Sequence, residues 1–362
     1  MKRILVAGGG TGGHLMPALA IAGALRDRAA GIEPVLVGAT RGVEARILPS
    51  REFRYHLLPS EPIYRRTWWR NLRWPVVAGA LLRRLNQLFE LEAPVAVIGT
   101  GGYASGPVVW WAGRKRIPTA IQEQNAYPGV VTRWLSRRVR HIYLGLPEAR
   151  RLIRVGPATQ VFDTGNPIAP PTPGRRPGAL ELFGLTGSRP VVLVTGGSQG
   201  ALAVNRAVAG WLEQGGPGET DLIWVTGRGT YAEFAGFHRP PAVTVVDFLD
   251  PMADGYAVAD VVVSRAGMLT VAELCAWGLP SILIPLPTAA ADHQTHNARV
   301  LADAGAAVFL PQDKLDPGTL AAAVGRMLSD STFRATVAAR ALERGRPNAA
   351  QEIVSNLLTL LP

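Results

Sequence analysis

The chain has 362 residues, of which 48% are hydrophobic, with one cysteine and a formal net charge of +11. That length suits two domains better than one core, the apolar content excludes a disordered chain, and a lone cysteine excludes a disulfide framework or a cysteine-ligated cluster. Residues 1–165 carry 24 Lys and Arg against 10 Asp and Glu, and the remainder 14 against 17, so an anionic partner or surface is expected for the first half alone.

Met1-Lys2-Arg3 runs straight into an apolar strand at 3–7, with no signal-peptide core, and no stretch of about 20 apolar residues occurs for a spanning helix. A cytoplasmic protein is expected. The turn Gly8-Gly9-Gly10-Thr11-Gly12-Gly13-His14 comes next, and a helix-like run begins at Met16. Strand, glycine turn and helix N-terminus together form a place where an anion can dock. Gly8-x-Gly10-x-x-Gly13 also matches the dinucleotide fingerprint. The second strand, however, ends Val37-Gly38-Ala39 without the acid that would hold a ribose hydroxyl, which argues against a nicotinamide oxidoreductase.

Further strands are predicted near 34–38, 95–98, 117–121 and 140–143, with helices near 16–29, 42–48, 76–91, 104–113 and 128–137. This alternation implies a parallel sheet whose post-strand loops share one edge. Ile63 to Trp74 interleaves Trp68, Trp69 and Trp74 with Arg65, Arg66, Arg70 and Arg73, ahead of an apolar run. That pattern fits an interfacial membrane contact, with an arginine-rich solvated face as the plain alternative. No nucleic-acid motif accompanies it.

Pro170 to Gly178 reads as an interdomain linker. The opening order then recurs: strand 190–195, glycine turn Gly196-Gly197-Ser198-Gln199-Gly200, helix 201–212. Strands follow near 221–226, 242–247, 260–264, 280–284 and 306–309, and an amphipathic helix follows Pro347. Two similar α/β halves, each with a ligand edge, imply a cleft between them. Strand 260–264 leads through Arg265-Ala266-Gly267 into a helix whose N-terminus at 268–273 suits a diphosphate. Glu273, about a turn on, suits a ribose diol, or is simply a first-turn glutamate favoured by the dipole. Gln294 and Asn297 share a helix face and could meet sugar hydroxyls. His293, His296 and Asp292 raise a metal, but further ligands of suitable type are not apparent nearby. In the first half His14, Tyr103 and Glu123-Gln124-Asn125 all fall after strands. His14 suits a general base near neutral pH, or merely positions its helix. Cys275 is expected to be an inert buried thiol.

Gly-Gly-Thr-Gly-Gly-His at 9–14, Gly-Gly-Tyr-x-Ser-Gly-Pro at 101–107, Glu-Gln-Asn at 123–125, Gly-Asn-Pro at 165–167, Gly-Gly-Ser-Gln-Gly-Ala at 196–201, Ser-Arg-Ala-Gly-x-Leu-Thr-x-x-Glu at 264–273 and His-Gln-Thr-x-Asn-Ala at 293–298 together resemble the MurG family of N-acetylglucosaminyltransferases. Seven motifs in order are far more specific than one glycine loop. The resemblance implies an α/β GT-B fold of two Rossmann-like parallel-sheet domains facing a cleft. Residues 1–164 would serve the acceptor and the membrane, residues 165–346 would bind UDP-GlcNAc, and a helix within 347–362 would return to the first domain. It implies inverting transfer of GlcNAc from UDP-GlcNAc to the C4 hydroxyl of MurNAc in undecaprenyl-diphosphoryl-MurNAc-pentapeptide (lipid I), giving lipid II, by a peripheral enzyme on the anionic cytoplasmic leaflet of the cell membrane. No cofactor, metal or nucleic acid is implied. The alternative is another UDP-sugar enzyme of the same fold, a glycolipid transferase or a UDP-GlcNAc 2-epimerase.

By the same resemblance Ser198, Leu249, Met268, Leu269, Thr270, Glu273 and Gln294 contact the donor, as do Thr11, Gly12, Gly13 and Asn125. Gly10, Tyr103 and Gln124 lie on the acceptor side. His14 is the expected base and Glu123 its rival. Gly8 to Gly13 is read as a cradle for the acceptor's diphosphate, with His14 at its edge. Three positions depart from the family pattern. Ala169 stands where an arginine associated with the donor is usual, Gln122 where a histidine is common, and Thr132 where an asparagine is usual. Arg265 or Arg175 would have to substitute for the missing arginine.

Overall fold

The computed structural model describes residues 1–62, 67–197 and 200–361, less the side chains of Trp68, Arg70 and Asn71. It divides into two compact units, Met1–Ile168 with Asn348–Pro362, and Ala169–Pro347.

The first unit is a parallel sheet of β1 (Lys2–Ala7), β2 (Ile32–Ala39), β3 (Arg54–Leu58), β4 (Ala96–Gly99), β5 (Thr119–Glu123), β6 (His141–Leu144) and β7 (Gln160–Phe162), in spatial order β3-β2-β1-β4-β5-β6-β7. Its helices are α1 (Gly12–Arg28), α2 (Glu44–Ile47), α3 (Trp74–Glu92), α4 (Gly102–Arg114) and α5 (Val130–Leu135). Leu5 registers between Val35 and Val97, and strand order reverses at β1 and β4, the position where ligands gather in open α/β sheets. The central strands β1 and β4 are apolar on both faces because helices cover both. Leu5, Val35, Val97 and Ile121 face Leu85, Leu88 and Phe89 of α3 and Val108 of α4. Ile4, Val6, Leu36 and Ile98 face Leu15, Ile21 and Leu25 of α1.

The second unit repeats the plan with β8 (Val191–Thr195), β9 (Asp221–Val225), β10 (Val243–Val246), β11 (Val261–Ser264), β12 (Ser281–Leu283) and β13 (Val308–Phe309), ordered β10-β9-β8-β11-β12-β13. Around it lie α6 (Arg176–Phe183), α7 (Leu202–Glu213), α8 (Tyr231–Phe234), α9 (Ala253–Val258), α10 (Met268–Trp277), α11 (His293–Asp303), α12 (Pro317–Ser329) and α13 (Ser331–Arg344). Trp224 is fully buried here, and its indole N–H donates to Asn205 Oδ1 at 3.0 Å, so burying it leaves no orphan donor. Cys275 is buried in α10, where burial pushes its thiol up to about 12, so it is inert at neutral pH.

The last helix, α14 (Ala349–Leu358), belongs to the first unit. Its Ile353, Val354 and Leu357 are at most 1% exposed and join the cluster around α1. Each such side chain contributes about 1.5–3 kcal/mol when buried.

Two strands depart from the sequence reading. β3 and β7 form the two outer edges of the first sheet. Each pairs on one side only, so neither needs the apolar run that announces a central strand. The segment read as linker at 170–178 already enters α6 at Arg176. Of the proposed membrane segment, Ile63 to Arg66 lie outside the described residues. Among the described residues no helix is long and apolar enough to cross a membrane.

Candidate functional site

In the first unit the site is built on the ends of β1, β4 and β5. The turn after β1 is held from below by Glu44 of α2, which is fully buried. Its carboxylate accepts the Gly10 N–H, at 3.0 and 2.9 Å to its two oxygens, and the Ala39 N–H at 2.8 Å. A Cβ on Gly38 would collide with the Glu44 side chain, so the glycine leaves the room this carboxylate occupies. This narrows the donors open to the expected cradle. The Gly10 N–H already serves a carboxylate, and an anion approaching it would meet like charge. The donors that remain are at the start of α1, which begins at Gly12 rather than near Met16. Thr11 is extended there and its hydroxyl does not cap the backbone.

The Thr11 hydroxyl instead lies 2.9 Å from His14 Nδ1. His14 is therefore a residue of the first helical turn, not the end of the loop. Thr100 Oγ1 donates to the His14 carbonyl at 2.7 Å, and a Cβ on Gly101 would sit 2.6 Å from His14 Cδ2, so the imidazole edge rests on the β4 turn. Gly102 has φ +77°, and a Cβ there would strike the Gly9 carbonyl. Only glycine lets the two turns meet. A Cβ on Gly10 would fall 2.6 Å from Tyr103 Cε1, which places the Tyr103 ring over Gly10.

Glu123 and Gln124 are both 3% exposed. Glu123 Oε1 accepts the Asn125 N–H at 3.1 Å and Asn125 Nδ2 at 3.3 Å, while Oε2 accepts the Gly129 N–H at 2.9 Å and Thr132 Oγ1 at 2.5 Å. Four donors commit this carboxylate to shaping the 125–132 loop, which leaves it poorly placed for the role of rival base. Gln124 Nε2 donates to the Thr100 carbonyl at 2.7 Å and to Gln122 Oε1, and Gln122 Nε2 donates to Asn166 Oδ1 at 2.9 Å. The Gln124 amide N–H groups are thus turned inward. Gln122 and Thr132, two of the departures noted above, are each absorbed into these buried networks.

In the second unit Ser198 lies outside the described residues. α10 starts at Met268, behind Gly267 as N-cap and without a side-chain cap. Met268 is 6% exposed, so its side chain is core and only its backbone is available. Leu269, Thr270 and Glu273 are half-buried on the same helix. The Tyr256 hydroxyl donates to Glu273 Oε2 at 2.9 Å, and burial raises the Glu273 carboxyl above the ordinary glutamate range. Leu249, on the loop after β10, packs against Gly255 and is half-buried. Gln294 Oε1 accepts the Leu286 N–H at 2.9 Å, whereas Asn297 is fully buried and donates to the Ala266 carbonyl at 3.3 Å. The pair predicted to share sugar contacts is therefore split: Asn297 ties α11 to the turn before α10.

Arg175 ion-pairs with Asp254 at 2.6 Å. Arg265 is buried and donates to the Ile284 and Pro285 carbonyls and to Gln312 Oε1. Glu44, Thr100 and Tyr256 escaped the sequence reading. For Glu44 a signal existed, a lone acid just after Gly38 and Gly42, two glycines that leave space for it. Among the described residues no three His, Cys, Asp or Glu side chains gather as a metal site.

Residues 4–144 match the glycosyltransferase family 28 N-terminal domain, and residues 191–353 match the glycosyltransferase family 28 C-terminal domain. The UDP-N-acetylglucosamine–N-acetylmuramyl-(pentapeptide) pyrophosphoryl-undecaprenol N-acetylglucosamine transferase of Chlorobaculum parvum is 37% identical over 99% of both chains. The enzyme of that name from Salinibacter ruber is 38% identical over 99% of this chain and 96% of its own. The crystal structure of Acinetobacter baumannii MurG superposes with a TM-score of 0.80 at 26% identity, covering 99% of this chain and all of that one. The UDP complex of Staphylococcus aureus MnaA, at 14% identity and TM-score 0.69 over 100% and 99% of the two chains, shares the fold.

Replacing Glu44 by Gln puts an amide N–H donor where two backbone donors converge. We expect the first unit to lose about 2 kcal/mol of stability, read as a lower urea midpoint. An unchanged midpoint would mean that the Gly10 N–H does not depend on this carboxylate.

Proposed function

The chain belongs to glycosyltransferase family 28, and from that membership we infer that it is a MurG-type enzyme, transferring GlcNAc from UDP-GlcNAc to undecaprenyl-diphosphoryl-MurNAc-pentapeptide to make lipid II. The observation that carries this is full-length identity of 37–38% to transferases of that name, with family matches in both units. The GT-B architecture of two parallel-sheet units agrees with it.

The reaction needs a base for the acceptor hydroxyl and stabilisation of the departing UDP. In the reading we favour, His14 Nε2 takes the proton from the C4 hydroxyl of MurNAc. The alkoxide attacks C1 of GlcNAc, the bond from C1 to the diphosphate oxygen breaks, and the anomeric centre inverts. For Nε2 to act so, Nδ1 must hold its proton and donate it to the Thr11 hydroxyl, a tautomer that the 2.9 Å contact permits. Thr11 is then a positioning residue. Glu123 shapes the loop bearing Asn125. On the donor side the start of α10 meets the leaving diphosphate with N–H groups and the positive end of its dipole. Tyr256 orients Glu273 for the ribose, and Leu249 offers its backbone to the uracil. No metal enters this scheme.

We assign the lipid-facing surface to the helical layer formed by α3, α4 and α5 on one side of the first sheet. Leu72 and Val76 are 73% and 78% exposed, and Trp69, Leu82, Val130 and Trp134 are exposed as well. Arg114 lies over the Trp110 ring at 5.4 Å and Arg138 over Trp134 at 5.8 Å. Exposed apolar and indole groups amid arginines suit the headgroup region of an anionic leaflet, where each basic residue adds about 1 kcal/mol. The enzyme would work there as a peripheral protein on the cytoplasmic face.

Purified protein given UDP-GlcNAc and a lipid I analogue should yield the disaccharide lipid and UDP in equal amounts. Hydrolysis or epimerisation of UDP-GlcNAc without that product would refute the assignment. His14→Ala should cut kcat by roughly 10²–10⁴-fold with the melting temperature kept, and near-wild-type turnover would clear His14 as base. Trp69→Ser, Arg73→Glu, Trp134→Ser and Arg138→Glu in one chain should abolish cosedimentation with phosphatidylglycerol vesicles. Undiminished sedimentation would move the membrane face elsewhere.

A further inference from the structure

We propose that Arg265 is the buried cation of the donor diphosphate site and also the residue that fixes Gln294 in place; this deepens, and rests on, the assignment of UDP-GlcNAc to the second unit. Arg265 is 9% exposed. From the end of β11 its side chain crosses the C-terminal ends of the next two strands. Nη1 donates to the Ile284 and Pro285 carbonyls just past β12, at 3.1 Å each, and Nη2 to Gln312 Oε1 beyond β13 at 2.7 Å. That is the edge of the sheet where ligands bind in this architecture.

All three partners are neutral oxygens. Other arginines of this unit, Arg175 and Arg189, pair with Asp254 and Asp221. Among the described residues no Asp or Glu pairs with Arg265. A guanidinium keeps its proton even where burial disfavours the charge, so this edge carries a full positive charge without its counter-charge. Such an arrangement is costly in the empty protein and is relieved by an anion. Two residues along the chain is Gly267, the N-cap of α10, and no side chain caps that helix. The positive end of the helix and the unneutralised cation therefore reinforce each other, and a diphosphate complements both. A nucleoside without phosphates gains nothing from either.

The same guanidinium governs a neighbouring contact. It holds the Pro285 carbonyl, and the next residue, Leu286, donates its N–H to Gln294 Oε1 at 2.9 Å. The peptide after Arg265 receives Asn297 of the same helix at the Ala266 carbonyl. Arg265-Ala266 thus fastens α11 at two points. Arg265 touches no reacting atom and is a positioning residue.

Titration calorimetry of full-length wild type, Arg265→Gln and Arg265→Lys with UDP and with uridine separates charge from packing. Arg265→Gln should weaken UDP by about tenfold or more and uridine by less than about threefold. Equal loss of both ligands, or loss of neither, would overturn the proposal. Arg265→Lys keeps the charge but not the two-carbonyl grip. It should hold the UDP-to-uridine affinity ratio within about threefold of wild type while raising KM for UDP-GlcNAc, and a collapse of that ratio would count against us even if the Gln variant fails to fold. Wild-type protein that binds no UDP would overturn the donor assignment itself, whereas wild-type binding with an unchanged ratio in the Gln variant removes only the role of Arg265.

Discussion

The geometry of the first unit's site depends on one buried carboxylate. Glu44 sits beneath the turn after β1 and receives the Gly10 and Ala39 N–H groups. An ionised group with no solvent exposure survives only when donors surround it, so the turn and the acid require each other. With Gly10 fixed from below, the Tyr103 ring can lie over it, the Gly101-Gly102 turn can approach the Gly9 carbonyl, and the edge of His14 can rest on Gly101. The placement of the imidazole follows from how closely these backbones approach.

The fold was largely legible because central strands buried on both faces are apolar throughout, as in Ile4-Leu5-Val6-Ala7 and Val261-Val262-Val263. The edge strands of the first sheet lack that signature. Arg54-Tyr55-His56 reads as polar surface, yet Arg54 and His56 close on the buried carboxylate of Glu92 at 2.8 and 2.6 Å, and against the upward push of burial these hydrogen bonds hold it below the ordinary glutamate range. That partner is 36 residues away from His56, beyond the reach of any local pattern.

The site was legible in outline but not in its division of labour. Motif order marked His14, Asn125, Glu273 and Gln294 as candidates without saying which side chains face outward. Glu123, Gln124 and Asn297 look like site chemistry in the sequence, and in the structure each bonds to backbone groups inside its own unit. A polar residue beside a functional one is often there to hold the backbone that presents it, and sequence spacing does not separate the two roles. Arg265 shows the reverse case: a residue within a glycine-rich motif whose charge gains its proposed role because no acid among the described residues pairs with it.

The placement of α14 has a bearing on how the polypeptide matures. Chain synthesis delivers residues 1–168 first, then all of Ala169–Pro347, and only then the segment from Asn348 that completes the first unit. Until that segment emerges from the ribosome, the face of α1 that takes Ile353, Val354 and Leu357 stays open as apolar surface. The unit that holds residues 1–168 is thus begun before the other unit and completed after it, and a stop codon ahead of Asn348 damages a sheet built far upstream in sequence.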